Sequence, residues 1–177
     1  VIRMKWTITQ LQKYRDKGLV LDETVDISDV QEIDKQIRKL SPIHVGGRAD
    51  ISAAKVTFHI HMTGEMVLPC SRTLVDVPVP IDVKTIETFL LKADYDYHDG
   101  EDDTTIVKGD VIDIMPIIRE NLLLAIPMQV FCEDASPEGA APTSGKDWSV
   151  VTEEEQSNRI DPRLADLAKF FDNDKNN

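Results

Sequence analysis

The stretch that decides the fold is 111-VIDIMPIIRENLLLAIPMQVFC-132, the most apolar part of the chain. It begins with alternating apolar residues at 111–114, which is the period of a β-strand. It then changes to the three- and four-residue spacing of a helix between Ile117 and Ala125. Asp113 stands where a side-chain oxygen can accept from the first free N–H groups of that helix. We therefore predict a strand end followed by a buried helix of about ten residues.

Two prolines bound this helix. Pro116 is tolerated in a first turn, and Pro127 ends the helix because the residue before a proline disfavours helical dihedrals. Beyond Pro127 we expect an extended exit to Cys132. The stretch is too short, and too interrupted by Arg119 and Glu120, to span a membrane.

Charge is distributed unevenly along the 177 residues. Residues 1–92 carry 13 Lys and Arg against 12 Asp and Glu, whereas residues 93–177 carry 7 against 20. Phosphates would be repelled by the second half, which argues against a broad nucleic-acid-binding surface there. A local basic face on the first half stays open, with Arg48, Lys55 and Arg72 among its members. The acidic half could meet a basic protein, such as a ribosomal protein, or could serve only solubility.

Composition places the chain among folded cytoplasmic proteins. Hydrophobic residues make up 41% and charged residues 29%, and the length suits one domain plus tails. We expect no signal peptide and no transmembrane segment. The two cysteines, Cys70 and Cys132, are too few for a secreted disulfide scaffold, so we expect reduced thiols.

Before residue 111 the patterns predict mainly strands. We expect a short strand at Met4–Ile8, a brief helix capped by Thr9 and ended by Gly18, a strand through 19–27, and a helix over 30–40 capped by Ser28 or Asp29. Two strands then follow: one over 43–51 with a bulge or bend at Gly46-Gly47, and a long one from Lys55 to Leu68 with a bulge or bend at Gly64. The last two are an edge strand over 74–83 and a further strand over 86–91. Residues 94–103 hold six acidic side chains and read as a solvated loop.

Three groups of residues invite a chemical interpretation, and each has an ordinary one beside it. His59 and His61 share a strand face and could ligate one metal, although a solvated sheet face explains them as well. The acidic run 94–103 could hold a divalent cation, but it lacks the spacing of a calcium loop. Cys70 could act as a nucleophile only if a base lay beside it. No phosphate-binding loop, dinucleotide-binding glycine pattern or GxSxG motif occurs.

Three segments together resemble the bacterial YceD family, the large ribosomal RNA subunit accumulation proteins. They are the turn LPCSRTL at 68–74, the stretch 113–132 with its IRENLLLAIPM core, and IDPRL at 160–164. The residues that carry this resemblance are Cys70, Arg72, Arg119, Glu120, Pro127, Cys132, Asp161, Pro162 and Arg163. The match runs from about Met4 to Phe171.

The resemblance implies a role in accumulation of 23S ribosomal RNA and in large-subunit assembly, with no established enzymatic activity. Many members carry a CxxC at the turn and further cysteines after the helix, which implies a four-cysteine zinc site. Here Thr73 takes the second position of the turn, and no cysteine follows Cys132. We therefore expect that zinc is lost, that no other cofactor is bound, and that Cys70 and Cys132 lie close together.

These observations combine into one prediction. We expect an α+β fold in which a twisted, mainly antiparallel sheet packs on a central buried helix, with short terminal helices and a mobile acidic C-terminal region. A single domain would span 4–132, a flexible acidic linker 133–159, a short helix 160–171 and a disordered tail 172–177.

The predicted function is that of a non-enzymatic, cytoplasmic ribosome-biogenesis factor. It would meet 23S rRNA or a precursor of the large subunit through Arg48, Lys55 and Arg72, or through a basic ribosomal protein. We expect no membrane and no small-molecule substrate. The alternatives are an interaction adaptor without RNA contact, and an RNA-processing enzyme that uses the histidine pair or the acidic loop. Arg72 could instead only pair with Glu120 or another carboxylate.

Overall fold

The computed structural model describes residues 4–91, 104–134 and 137–151. The chain divides into two compact units, residues 1–140 and 141–177. The described elements are β1 (Lys5–Thr7), α1 (Ile8–Gln12), β2 (Leu19–Val25), α2 (Val30–Ile33), β3 (Lys39–Leu40), β4 (Ile43–Ile51), β5 (Lys55–Pro69), β6 (Asp76–Leu90), β7 (Thr104–Ile106), β8 (Val111–Asp113) and α3 (Met115–Leu124).

The first unit is built on one large sheet with the strand order β2-β4-β5-β6-β7, and β3 pairs with one end of β5. Every pairing in it is antiparallel except that of β6 with β7. β1 and β8 form a separate two-stranded antiparallel ribbon. The predicted α+β class with a mainly antiparallel sheet is confirmed.

Strand β5 is the centre of the sheet, and its alternation decides which face is buried. Val56, Phe58, Ile60 and Met62 are buried, whereas Thr57, His59 and His61 between them reach solvent. The Phe58 ring stacks on Trp6 at 5.8 Å between centroids and meets the edge of Phe89 at 5.7 Å. The apolar face predicted from the sequence is therefore the core face.

Helix α3 covers this core through Ile118 and Leu122, which are fully buried. It begins one residue later than its predicted cap implied. Ile114 is the N-cap residue, and Asp113 accepts the N–H of Met115 at 3.0 Å. Only one stripe of the apolar stretch is buried, since the side chain of Leu124 is 77% exposed.

Two predicted helices differ from those observed. The predicted helix over 30–40 ends at Ile33, because Asp34 takes extended dihedrals and Lys39–Leu40 pairs with β5. Pairing with a strand satisfies the backbone N–H and C=O groups as fully as a helix does. The spacing of apolar residues within 30–40 could not show that β5 lies close enough to pair with Lys39–Leu40. Helix α1 is capped by Thr7 rather than Thr9, and Gln10 completes a reciprocal capping box with it.

The glycines predicted to mark a bulge or bend lie in ladders that contain no bulge. The register of β4 with β5 runs without a skipped residue through Gly46 and Gly47, as does that of β5 with β6 through Gly64. Glycine at 47 and 64 instead allows close approach of neighbouring atoms. A Cβ at Gly47 would lie 2.0 Å from the His59 carbonyl oxygen, and one at Gly64 would lie 2.7 Å from the Ile43 Cδ1.

The two strands predicted over 74–83 and 86–91 are one strand, β6. It pairs with β5 along its whole length, and among the described residues its other edge meets β7 only at 88–90. The edge position that Pro78 and Pro80 predicted for the strand over 74–83 is therefore confirmed for residues 76–83 within the described chain.

In the second unit the described residues 141–151 contain a tight turn. Ser144 and Ser149 form an antiparallel bridge, and the N–H groups of Gly145 and Val150 donate to the carbonyls of Trp148 and Thr143, both at 2.8 Å. The predicted loop at 94–103 lies outside the described residues, as do the predicted C-terminal helix and tail. No helix in the described ranges is long and apolar enough to cross a membrane.

Candidate functional site

The sheet face opposite the core, here called the outer face, is open to solvent. Two apolar residues on it, Val20 and Ile86, are 76% and 60% exposed. Register places side chains of β2, β4, β5 and β6 side by side on this face. Along β2, β4, β5 and β6 its ionisable members include His44, His59, His61, Arg48, Lys55, Lys84, Asp22, Asp50, Glu65 and Asp82.

Each histidine of the outer face meets an aspartate on a neighbouring strand. The Nε2 to carboxylate distances are 3.0 Å from His59 to Asp50 and 2.8 Å from His61 to Asp82. His44 lies 3.5 Å from Asp22 in the same way. His59 and His61 thus turn toward strands on opposite sides of β5, and they do not converge on one metal position.

The cations Arg48 and Lys84 flank the middle of this face. Arg48 stands directly across from His59, and Lys84 from His61. Arg48 approaches Asp50 at 3.8 Å, but both side chains are more than half exposed, so the pair contributes little. No ion pair of Lys84 occurs within residues 4–91, 104–134 and 137–151.

A shallow depression of about 570 Å³ lies between these two cations. The residues that line it are Gly47, Arg48, His59, Ile60, His61, Lys84, Thr85 and Ile86. Sequence reasoning missed Lys84 because it split β6 at residue 83. The available signal was that Asp82 and Lys84 continue the alternation with Ile81 and Val83 beyond residue 83.

The three cations predicted as contact residues do not form one patch. Lys55 is the first residue of β5 and lies on the outer face. It is four residues along β5 from His59, the residue that pairs with Arg48. Arg72 follows the opposite end of β5, and a strand of this length spans about 45 Å. Arg72 donates to the Asp134 carbonyl oxygen at 3.2 Å, and no ion pair with Glu120 is found among the described residues.

A second cluster forms where the turn 70–75 meets the segment after α3. The turn closes on itself through Cys70 N–H to Val75 O at 2.8 Å and Leu74 N–H to Cys70 O at 2.9 Å. Ser71 joins it to Val130, donating its N–H to the Val130 carbonyl at 2.7 Å and accepting the Val130 N–H on its hydroxyl at 3.1 Å. These bonds hold the exit of α3 against the turn.

The two cysteines meet in this cluster, which we call the cysteine turn. Their Sγ atoms lie 3.3 Å apart, so the predicted proximity is confirmed, and both are free thiols. Cys70 is fully buried, whereas Cys132 is partly exposed. The Thr73 hydroxyl lies 3.2 Å from the Cys132 Sγ, and the Asp134 carbonyl oxygen lies 3.1 Å from it.

Hydrogen bonds make Cys70 unusually acidic. Burial raises its pKa, but the Thr73 hydroxyl and the backbone N–H groups of Cys132, Thr73 and Arg72 outweigh burial and lower the pKa to about 6. The N–H groups of Thr73 and Cys132 lie 3.5 and 3.4 Å from the Cys70 Sγ. At neutral pH this sulfur is therefore mainly a thiolate.

The cysteine turn does not fit a structural zinc ion. A closed tetrahedral site needs four N, S or carboxylate donors, with sulfurs about 3.8 Å apart for Zn–S bonds of about 2.3 Å. The turn offers two sulfurs, a hydroxyl and a carbonyl. No group of three or more His, Cys, Asp or Glu placed to hold a metal occurs within the described residues.

The other residues of the predicted set lie on α3 or beyond the described chain. Arg119 Nε pairs with Asp29 at 2.8 Å, which ties α3 to the start of α2. Glu120 borders shallow depressions on either side of the helix, and Pro127 follows its end. Asp161, Pro162 and Arg163 lie outside the described residues.

Comparison with known proteins decides the family. Residues 58–171 match the family described as "Large ribosomal RNA subunit accumulation protein YceD". The chain belongs to the YceD family. It is 48% identical over 171 residues to the uncharacterized protein YlbN of Bacillus subtilis (strain 168), covering 97% of this chain and 98% of YlbN. No solved structure matches it.

The range of the family match divides the candidate residues of this YceD-family chain. Cys70, Arg72, Lys84 and Cys132 lie within residues 58–171, whereas Arg48 and Lys55 precede them. The match with YlbN extends over nearly the whole chain and so includes most of the outer face.

Proposed function

We propose that this chain is a non-enzymatic, cytoplasmic factor that promotes the accumulation of 23S rRNA and assembly of the large ribosomal subunit. Membership of the YceD family supports the link to large-subunit rRNA. The proposal adds that the chain contacts the RNA, or a precursor particle, through the outer face. The observation that carries this addition is the open depression between Arg48 and Lys84.

The chemistry of the outer face suits phosphate and base contacts in irregular RNA. Arg48 can present a fork of donors to a phosphate, and Lys84 can present a point charge. His59 and His61 add flat rings beside the depression, on which an unpaired base can stack. Asp50 and Asp82 moderate the positive charge, which favours a shaped RNA site over indiscriminate attraction of phosphates.

A salt titration of binding tests the RNA contact. We expect the affinity of the chain for large-subunit rRNA to fall as the salt concentration rises. In a plot of the logarithm of the binding constant against the logarithm of the salt concentration, the variant carrying Arg48→Gln and Lys84→Gln should have a slope smaller in magnitude by about 1.4–1.8. Lys13→Gln is the matched control, because Lys13 is exposed at the end of α1 and off the outer face. An unchanged slope in the double variant excludes this face as the RNA site.

The same variants test the cellular role. Cells that lack the protein should lose 23S rRNA and large subunits selectively on a sucrose gradient, with 16S rRNA as the internal reference. The Lys13→Gln variant should restore both, and the double variant should not. Normal rRNA levels in cells without the protein contradict the proposed function itself.

A second candidate is capture of a basic ribosomal protein by the acidic half of the chain. The observation in its favour is the balance of 7 Lys and Arg against 20 Asp and Glu over residues 93–177. This candidate predicts that the outer-face double variant still joins large-subunit particles and that purified chain does not bind protein-free rRNA. Magnesium-dependent cleavage of RNA by the purified chain would instead support an enzyme.

A further inference from the structure

The cysteine turn holds a pair of thiols that the proposed function does not use. The two residues are 62 positions apart in sequence, yet their Sγ atoms lie within 3.3 Å. A disulfide needs about 2.05 Å between sulfurs, so the atoms must approach by only about 1.3 Å. Side-chain rotation can supply such a movement while the bonds between Ser71 and Val130 hold the two segments in place.

The two sulfurs differ in a way that suits two successive steps. Cys132 is partly exposed and can meet a reagent from solvent, whereas Cys70 is fully buried and cannot. The Cys70 Sγ is surrounded by backbone N–H donors that stabilise a negative charge. The Cys132 S–H points toward that sulfur or toward the Asp134 carbonyl oxygen.

We propose that the cysteine turn is a reversible redox site, in which Cys132 reacts first with a small disulfide and Cys70 then displaces the leaving thiolate to form a Cys70–Cys132 disulfide. The proposal concerns the cysteines alone and does not depend on the role in rRNA accumulation.

The atoms and electrons balance with a small disulfide, RSSR, as the oxidant. Cys132 passes its proton to the Cys70 sulfur and attacks RSSR, so that one S–S bond breaks, a Cys132–S–SR bond forms and RS⁻ leaves. Cys70 then loses that proton to solvent and attacks the Cys132 sulfur, expelling the second RS⁻. The protein sulfurs give up two electrons, RSSR is reduced to two thiolates, and the one proton that Cys132 carried goes to solvent.

The product would join the turn after β5 to the exit of α3 covalently. It closes a loop of about 60 residues that contains β6 and α3, and it restricts the unfolded chain more than the folded one. We expect the midpoint of thermal unfolding to rise by about 8–15 °C on oxidation and to return on reduction.

The test uses reduced, purified full-length chain and 5,5′-dithiobis(2-nitrobenzoate), a small disulfide whose leaving thiolate is coloured. Wild type should release two coloured thiolates per chain and end two hydrogens lighter, without an adduct. Cys70→Ser should release one and keep a stable mixed disulfide on Cys132. Cys132→Ser should react at least tenfold more slowly, because its remaining thiol is buried.

Three results overturn the proposal. One is a wild-type chain that keeps a mixed disulfide and releases a single coloured thiolate. Another is a Cys132→Ser variant that reacts as fast as Cys70→Ser while both are folded by circular dichroism. A disulfide that lowers the thermal midpoint would likewise show that the folded geometry does not accommodate the bond.

Discussion

Replacing Gly47 with alanine tests the central ladder of the sheet. The added Cβ would lie 2.0 Å from the His59 carbonyl oxygen and 3.3 Å from the Ile60 Cα, both backbone atoms of β5. Gly47 also has a φ of +148°, which an alanine adopts at a cost of about 1–3 kcal/mol. The substitution therefore cannot be absorbed by a side-chain movement.

The magnitude follows from the ladder. To bring the Cβ to an ordinary distance, β4 and β5 must separate locally by about 1 Å or more, which lengthens a 2.9 Å hydrogen bond beyond its useful range. Loss of one or two buried backbone bonds costs about 1–3 kcal/mol each. We expect Gly47→Ala to lower the free energy of unfolding by about 3–6 kcal/mol, a large part of the 5–15 kcal/mol typical of a domain.

The neighbouring glycine provides a matched control. A Cβ at Gly46 would meet the His44 Nε2 at 3.5 Å and the Leu21 carbonyl oxygen at 4.0 Å, which are ordinary contacts. Gly46→Ala should leave stability unchanged or raise it by up to about 1 kcal/mol, because alanine restricts the unfolded chain.

Urea unfolding, followed by far-UV circular dichroism and by tryptophan fluorescence, to which the partly buried Trp6 contributes, measures both variants. The midpoint of Gly47→Ala should lie about 1.5–3 M below that of Gly46→Ala. Midpoints within about 0.5 M of each other would refute the reasoning, since they would mean that β4 and β5 do not approach as closely as described.

Three further substitutions or titrations follow from single residues. Leu74 has a φ of +61° and is 55% exposed, so Leu74→Gly should raise the free energy of unfolding by about 0.5–1 kcal/mol in urea, and a loss would contradict the strained turn. Leu122→Ala should cost about 2–5 kcal/mol, whereas the exposed control Leu124→Ala should change stability by less than about 0.5 kcal/mol. The thiolate absorbance of the Cys132→Ser variant should titrate with a midpoint near pH 6, because the folded pKa of Cys70 is lowered to about 6 from 9.0. Since the pKa of Cys70 is lower in the folded than in the unfolded chain, this thiol contributes stability that is fully present above about pH 9 and is lost as pH falls to 6. The stability of reduced wild type relative to Cys70→Ser should therefore increase as pH rises from about 6 to about 9.

Much of the fold followed from local patterns, and the errors came from pairing partners distant in sequence. The alternation in β5 predicted the core face because one face of a central strand is buried against apolar neighbours. The short helix at Val30–Ile33 and the continuous strand at Asp76–Leu90 were misread, since β5 supplies ladder partners on both sides that no local window contains.

The candidate site divides in the same way. Arg48, Lys55 and Arg72 are exposed, but the sequence alone could not show that Arg72 lies beyond the opposite end of β5. Lys84 joined the outer face only through its register with His61. The family relationship, by contrast, was readable from the turn at 68–74 and the stretch at 113–132, because motif order and spacing survive without coordinates.

The amino-acid sequence by itself determined the α+β class, the presence of helix α3, the uneven charge and the family of this protein. These depend on periodicity, composition and motif order, which are local or additive properties of the chain. Tertiary structure alone decided that Arg48 and Lys84 flank one depression and that Cys70, beside Cys132, is buried and has a lowered pKa. Those features depend on strand register and on contacts across 36 and 62 residues, and such distances are set by the packed sheet rather than by any single segment.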